Sequence, residues 1–381
     1  MDYIDVSAAA HTRAGLGRYS EKLARALLDA QPGRFALFFN RGQGARLPES
    51  LRGAPARQVN LGYKPWRMAV LLGQWSRLSF GRLVPGARLF HSTEHLLMPL
   101  PRVPTVLTVH DLIYKLYPDY HKRLNYWYLN LAMPLFCQRA TAIIAVSEAT
   151  KRDIIDHYQI DPAKIHVVYE AAADHFRPPN PDAVARVRQE YNLPECFLLH
   201  ISTIEPRKNL DRLVDALLIL RDQFPDLALI LAGAKGWLYD DFFARIEAEG
   251  LQQVVRPLGW VPDVDLPAII AAAALGVQPS LYEGFGLPIL EQMACGQAVA
   301  ASNSSSHPEV GGQAAAYFDP ADSGQMAAVI GRLLADPGEV AQRRALGLSQ
   351  AARFSWARAA QETIAVYDSV IGNMSSVDSE R

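Results

Sequence analysis

The stretch LYEGFGLPILEQ, residues 281–292, sets two carboxylates, Glu283 and Glu291, eight positions apart around a turn containing Gly284 and Gly286. Pro288 suits a first helical turn and Gly296 its end, so Phe285, Gly286 and Leu287 present backbone N–H groups at a helix N-terminus, where an anion can be held. The loop is not a Walker phosphate loop, because the terminal Lys-Ser/Thr is missing. A carboxylate one turn inside the helix, at Glu291, would repel phosphate but could accept hydrogen bonds from adjacent ribose hydroxyls. Glu283, before the glycines, can reach the other side of the phosphate, toward a sugar. The structural alternative stays open: Glu291 favoured by the helix dipole, Glu283 a surface loop acid.

A second strand–loop–helix, ISTIEPRKNLDRLVDAL, puts Arg207 and Lys208 where a helix over 209–220 begins. Cations there oppose the macrodipole, and a diphosphate shared with the Gly286 loop would account for them; solvated loop charges are the alternative. In SAAAHTRAGLGRYSEKL, Gly15 and Gly17 allow close backbone approach to a ligand, or simply a tight turn. The segment fails as a dinucleotide fingerprint: Ser20 occupies the third glycine position and no acid follows the second strand. His110 and Asp111 end the strand TVLTVHD, where a histidine can donate to a sugar, stabilise positive charge through its own carbonyl, or pack as a strand-end imidazole. His91 and His95 lack a third metal ligand and read as cleft-lining or structural. Asp265 of PDVDLP, followed by Pro267, reads as a helix N-cap rather than a DxD metal motif.

These loops need strands and helices to hold them. Apolar β-branched runs alternate with helical segments: YIDVSA, RFALFFN, RLFHST, TVLTVHD, AIIAVS and IHVVYEA, then CFLLHIST, LALILAG, VVRPLGW, LGVQPS, QAVAAS and AAAYFDP. That alternation predicts two parallel sheets covered by helices, doubly wound, with ligands at the strand C-terminal ends and a cleft between the units. At 381 residues two cores are expected. The boundaries are an N-terminal domain over 1–173, a Pro-rich linker over 174–195, a C-terminal domain over 196–356, and a last amphipathic helix with a polar, frayed tail over 357–381.

Cys137, Cys196 and Cys295 are odd in number and lack metal-ligand spacing, which favours neither disulfides nor zinc. The start, MDYIDVSAAA, does not read as a signal peptide, and no apolar window is long enough to span a bilayer. The expected location is the cytoplasm, with attachment to the inner face of a membrane left open. Formal net charge is −1, yet residues 1–172 carry 22 Lys+Arg against 13 Asp+Glu and the remainder 16 against 26. Such a split suits an anionic partner at the first half, or mutual attraction of the halves. Segments 64–83 and 120–139 interleave Trp and Tyr with Lys and Arg, as a lipid-facing surface or as ordinary helix packing. No nucleic-acid module is present.

With these residues in place, the chain resembles the retaining glycosyltransferases of family four, whose GT-B fold pairs two Rossmann-like domains. GLGRYSEKL resembles the family's N-terminal glycine loop, TVHDL its cleft histidine, STIEPRKNL its diphosphate turn, EGFGLPILE its E-x7-E signature and FSWARAA its crossing-back segment. The resemblance implies that Glu291 holds the nucleotide ribose, Glu283 the donor sugar, and the N–H groups around Gly284, Phe285, Gly286 and Leu287 the sugar and phosphates. Arg207 and Lys208 would neutralise the diphosphate, Val261 border the base and Ser147 lie near the cleft. Gly15 and Gly17 would approach donor phosphate and acceptor, and His110 the donor sugar. Thr203 stands where many members have arginine, so Arg207 is expected to supply that charge. The implied activity is retaining transfer of a hexose, mannose from a GDP-sugar being favoured, to a glycan or polyprenyl-linked hydroxyl in surface polysaccharide synthesis. No metal or other cofactor is expected. A nucleotide-sugar 2-epimerase and a non-catalytic nucleotide-sugar sensor are the alternatives.

Overall fold

The structure, a computed structural model, describes residues 1–379 apart from Arg13 and Gln43; the side chains of Ala14 and of residues 373–379 lie outside the description. The chain divides into two units: Met1–Leu116, His121–Glu170 and Ser355–Arg381 form the first, and Tyr117–Tyr120 with Ala171–Phe354 form the second.

In the first unit, strands β1 (Asp2–Asp5), β2 (Phe35–Asn40), β3 (Ala56–Val59), β4 (Leu89–Ser92), β5 (Thr105–Val109), β6 (Ala142–Ala145) and β7 (Ile165–Val167) pair in the order β3-β2-β1-β4-β5-β6-β7. Every pairing is parallel. β2 is buried along its whole length, as a strand covered on both faces must be. β3 was not expected. Its residues ARQV, with Arg57 and Gln58 at the centre, are mostly exposed, and pairing with β2 makes this edge a strand. The helices that bear on the unit's function are α1 (Ala14–Ala30), α2 (Tyr63–Ser76), α3 (Arg123–Arg139) and α4 (Glu148–Tyr158).

Strands β8 (Phe197–Ile201), β9 (Ala228–Ala232), β10 (Val255–Gly259), β11 (Leu275–Gln278), β12 (Val299–Ser302) and β13 (Ala316–Phe318) form the second sheet, ordered β10-β9-β8-β11-β12-β13 and again parallel. All six coincide with expected apolar runs. Residues 174–195 do not form a free linker. They contain helix α5 (Pro181–Glu190), whose N-cap Asn180 accepts from the Asp182 N–H at 3.0 Å, and Val187 joins an apolar cluster with Phe197 and Ile269. The prolines end one element, but Pro181 starts a helix, where a missing N–H costs nothing. The second unit also contains α6 (Leu210–Arg221), α7 (Leu266–Ala272) and α8 (Leu287–Ala294).

The last helix, α9 (Trp356–Ser379), packs on α1 in the first unit, where Tyr19 and Trp356 meet edge to face at 5.9 Å. Buried Tyr367 contacts His91 Nδ1 at 2.5 Å, and Arg34 bridges Asp368 and the buried Asp2 at 2.7 and 2.6 Å. The helix continues to Ser379, through the tail expected to be frayed; Glu380 and Arg381 lie outside the described residues. Among the described residues no helix is long and apolar enough to cross a membrane.

Candidate active site

The strand order of the second sheet reverses between β8 and β11, so loops leaving these neighbours part and open a crevice at the strand C-terminal ends. The β8 loop contains one turn of 3-10 helix, Pro206–Lys208, and Asn209 at φ 60°, whose amide donates to the carbonyls of Pro279 and Pro320 at 3.0 and 2.7 Å. The two loops are joined directly: the Leu281 N–H donates to the Arg207 carbonyl at 3.0 Å. Arg207 Nη1 donates to the Tyr282 carbonyl at 2.6 Å and lies 2.7 Å from Glu283 Oε2, while its Nη2 meets Glu205 Oε1 at 2.5 Å. Lys208 Nζ donates to Glu283 Oε1 at 2.5 Å, and Ser280 Oγ donates to the same oxygen at 2.7 Å. Side-chain exposures of 12%, 9% and 14% for Arg207, Lys208 and Glu283 leave little water to screen the trio.

Burial alone would raise the pKa of Glu283, but Arg207 and Lys208 beside it outweigh burial and hold the carboxyl well below its usual range. It is therefore ionised at neutral pH. His200, hydrogen-bonded to the Val277 carbonyl at 3.0 Å, and His307, 2.8 Å from Ser302 Oγ, are both pushed down to about 4 by burial and stay neutral. The cations at the start of α6 thus have partners within the chain itself, Glu283 and Glu205. The sequence pointed to an outside anion for this role and missed the pairing. Glu205 Oε2 is buried with no hydrogen-bond partner.

Gly286, at φ 107°, caps α8, and a Cβ there would come 3.1 Å from His307 Cδ2, so the turn requires glycine. Pro288 follows in the first turn, and Leu287, as first helical residue, has an N–H without an intrahelical acceptor. Ser305 Oγ accepts from the Glu283 N–H at 2.9 Å, and Ser306 Oγ donates toward the carbonyls of Phe285 and Glu283 at 2.6 and 3.0 Å. Glu291 sits buried one turn into α8. Sequence reasoning missed Glu205, Ser280, Ser305, Ser306 and His307; the polar run SNSSSHPE between β12 and a Pro-started turn was the available signal. Val261 is buried in an apolar cluster with Ile201, Ala232 and Leu266. Asp265 stands at the N-cap of α7 without capping it: its backbone is α-helical, and its side chain pairs instead with Arg186 and, at 2.8 Å, the Tyr191 hydroxyl.

The remaining expected residues fall on the first unit. Gly17 does make a close approach, but to the chain: a Cβ there would lie 3.0 Å from the Ala8 carbonyl oxygen, whereas one at Gly15 meets nothing within 4 Å. Ser147 is buried and caps α4, accepting from the Thr150 N–H at 3.0 Å. Thr150 Oγ1 donates to the His110 carbonyl at 3.1 Å, and Tyr19 of α1 packs edge to face on the His110 ring at 4.6 Å, so these elements converge on His110. His110 Nε2 faces the Thr93 carbonyl at 2.9 Å and must donate; Nδ1 faces Glu170 at 3.3 Å, where a second proton is favoured. Burial opposes that charge, but the hydrogen bond and charge of Glu170, together with the Thr93 carbonyl and Asp111, outweigh it and raise the ring above its ordinary value. His91 is structural: it is buried between Tyr367 and Thr108 and pushed down to about 3, by burial first. His95 Nε2 accepts from the His110 N–H at 3.0 Å.

The chain matches the model described as Glycosyltransferase Family 4 over residues 13–172 and that of Glycosyl transferases group 1 over 184–352. It is 37% identical over 269 residues to the O-antigen chain mannosyltransferase B of Escherichia coli, covering 69% of each chain. A second Escherichia coli relative, the serotype-specific mannosyltransferase WbdA, is 30% identical over 305 residues, 74% of this chain and 36% of that protein. The Anabaena protein HepE, solved with UDP and glucose, superposes with a TM-score of 0.74 at 19% identity, over 97% of this chain and 100% of that one. Sucrose-phosphate synthase from Thermosynechococcus elongatus gives 0.75 at 19% identity, over 98% and 100%. The architecture is GT-B, and a relative this similar over more than two thirds of its length fixes the family: the chain belongs to the glycosyltransferases of family 4.

Proposed function

We propose that the chain transfers mannose from a GDP-sugar to a hydroxyl of a glycan or polyprenyl-linked glycan, with retention at the anomeric carbon and without a metal ion. The observation that carries this reading is the pair of nearly buried cations, Arg207 and Lys208, held by Glu283 at the switch point beside the Gly286 turn. The mannosyltransferase names of the relatives support the choice of sugar. The C1–O bond to the diphosphate breaks with both electrons going to the leaving oxygen, and the acceptor oxygen bonds C1 on the same face. The acceptor proton passes to the departing phosphate oxygen. Arg207, Lys208 and the first-turn N–H of Leu287 stabilise the charge that develops; one such donor contributes about 3 kcal/mol to a barrier of this kind.

Glu283, held ionised by two cations, is a weak nucleophile, so it orients sugar hydroxyls and front-face displacement is favoured over a glycosyl-enzyme. Glu291 accepts from the ribose hydroxyls. The roles the family resemblance implies for Val261, Ser147, Gly15, Gly17 and His110 remain part of this proposal. The test is turnover of GDP-mannose by the purified chain with a mannoside acceptor, the product's anomeric configuration being read by NMR. An α-linked product, lost in Lys208→Ala, is expected. Donor turnover independent of acceptor would favour a 2-epimerase, and binding without turnover a sensor.

A further inference from the structure

The first unit carries an apolar surface left exposed among the described residues. On α2, Met68, Leu72 and Trp75 repeat at helical spacing on the outward side, with Leu78 just beyond; on α3, Leu124, Trp127 and Leu131 do the same. Leu124 is 89% exposed, Trp127 66% and Trp75 51%, while the opposite faces, through Trp66, Val70, Met133 and Phe136, share one core. The helices lie side by side. Arg67 Nη1 donates to Asn125 Oδ1 at 2.9 Å, its guanidinium covers the Tyr128 ring at 3.8 Å, and the Tyr128 hydroxyl donates to the Arg67 carbonyl at 3.2 Å. With flanks locked and inner faces on a common core, the two exposed stripes open to the same side.

Isolated exposed apolar residues are normal; two adjoining stripes are a docking surface. Charge decides what docks. Residues 61–83 contain Lys64, Arg67, Arg77 and Arg82 and no acid, and residues 121–139 contain Lys122, Arg123 and Arg139 and no acid. A second copy docking through the same face would set these basic segments against themselves, whereas an anionic bilayer supplies the complementary charge. We propose that this face docks on the surface of an anionic phospholipid bilayer, α2 and α3 lying in the interface with Trp75 and Trp127 at headgroup depth. Each cation near such a surface contributes about 1 kcal/mol, roughly a five-fold gain in partition. The proposal deepens the reading of a lipid-linked acceptor and rests on it for its purpose, since that acceptor resides at such a surface.

The test is co-sedimentation of the full chain with vesicles of phosphatidylcholine and phosphatidylglycerol at 2:1, and of phosphatidylcholine alone, beside transfer to a water-soluble mannoside without vesicles. The wild-type chain should pellet with the anionic vesicles and less so as salt rises. Lys122→Glu/Arg123→Glu should lower partition about 30-fold or more, and Trp127→Ser/Leu131→Ser should lower it with melting temperature and soluble transfer unchanged. Equal binding by both variants, or no wild-type binding, overturns the proposal. A wild-type dimer that Trp127→Ser/Leu131→Ser splits also overturns it, in favour of a second copy. Vesicle binding without any transfer would instead count against the catalytic reading and leave the docking intact.

Discussion

Replacing Glu283 by glutamine removes a carboxylate that Arg207 and Lys208 share. Arg207 keeps Glu205 at 2.5 Å, so Lys208, 9% exposed, loses most. Breaking a buried pair by removing one partner costs about 3–5 kcal/mol, and the amide oxygen, still able to accept one hydrogen bond, reduces this to about 2–4 kcal/mol. For a unit of 150–250 residues each kcal/mol moves the midpoint by about 2–4 °C, so the second unit should melt about 4–16 °C lower at pH 7. The assay is differential scanning calorimetry of the wild type, Glu283→Gln, Lys208→Met and the double variant. The cycle should return a coupling of about 1.5–3 kcal/mol that persists at high salt, because a buried pair is weakly screened. The same substitution frees cationic charge: a unit charge about 5 Å away is worth about 3 kcal/mol at an effective dielectric of about 20, so GDP should bind about ten-fold tighter or more. A midpoint within 1–2 °C of wild type with no coupling would refute the ion-paired site.

Gly286→Ala forces a side chain into φ 107° and 3.1 Å from His307 Cδ2, and should destabilise the second unit by about 1–3 kcal/mol, read as a lower midpoint. His200 and His307, held near 4, are neutral in the folded state, so the stability they share is full above about 6.5 and lost as pH falls toward about 4, up to about 3 kcal/mol each. His307→Gln should flatten the fall of midpoint between pH 6 and 4; an unchanged slope contradicts the assignment. His110 has the opposite sign: its raised value makes a contribution that is present below about 6.5 and lost as pH climbs through the folded value. Glu170→Gln should move its NMR titration to lower pH, and an unmoved titration would show that Glu170 is not the cause. Tyr367→Phe leaves His91 Nδ1 without its 2.5 Å partner and should cost about 1–3 kcal/mol; no change would mean that α9 is not held there.

Much of this was legible because parallel strands buried on both faces read as continuous apolar runs, as in FALFFN and ALILA. ARQV could not be read that way, since an exposed edge strand has no apolar signature. Prolines 178, 179 and 181 signalled a break, and the sequence could not show that the last opens a packed helix. At the site, residue types and spacing pointed to Arg207, Lys208 and Glu283, but their ion pair depends on β8 lying beside β11, with two other strands between them in sequence. Gly17 was read as room for a ligand; only the fold shows Ala8 occupying that room. Ser305 and Ser306 act through backbone groups some twenty residues away, which local pattern does not encode.

The central claim is that the loops leaving β8 and β11 hold one nucleotide-sugar donor between them. Equilibrium binding of GDP-mannose to the wild type, Lys208→Met and Glu291→Gln, with folding checked by calorimetry, tests it directly. Each substitution removes a charge-assisted hydrogen bond of about 1.5–3 kcal/mol, so each should weaken binding at least about ten-fold. If both variants stay folded and bind GDP-mannose within two-fold of wild type, the donor sits elsewhere and the account is wrong.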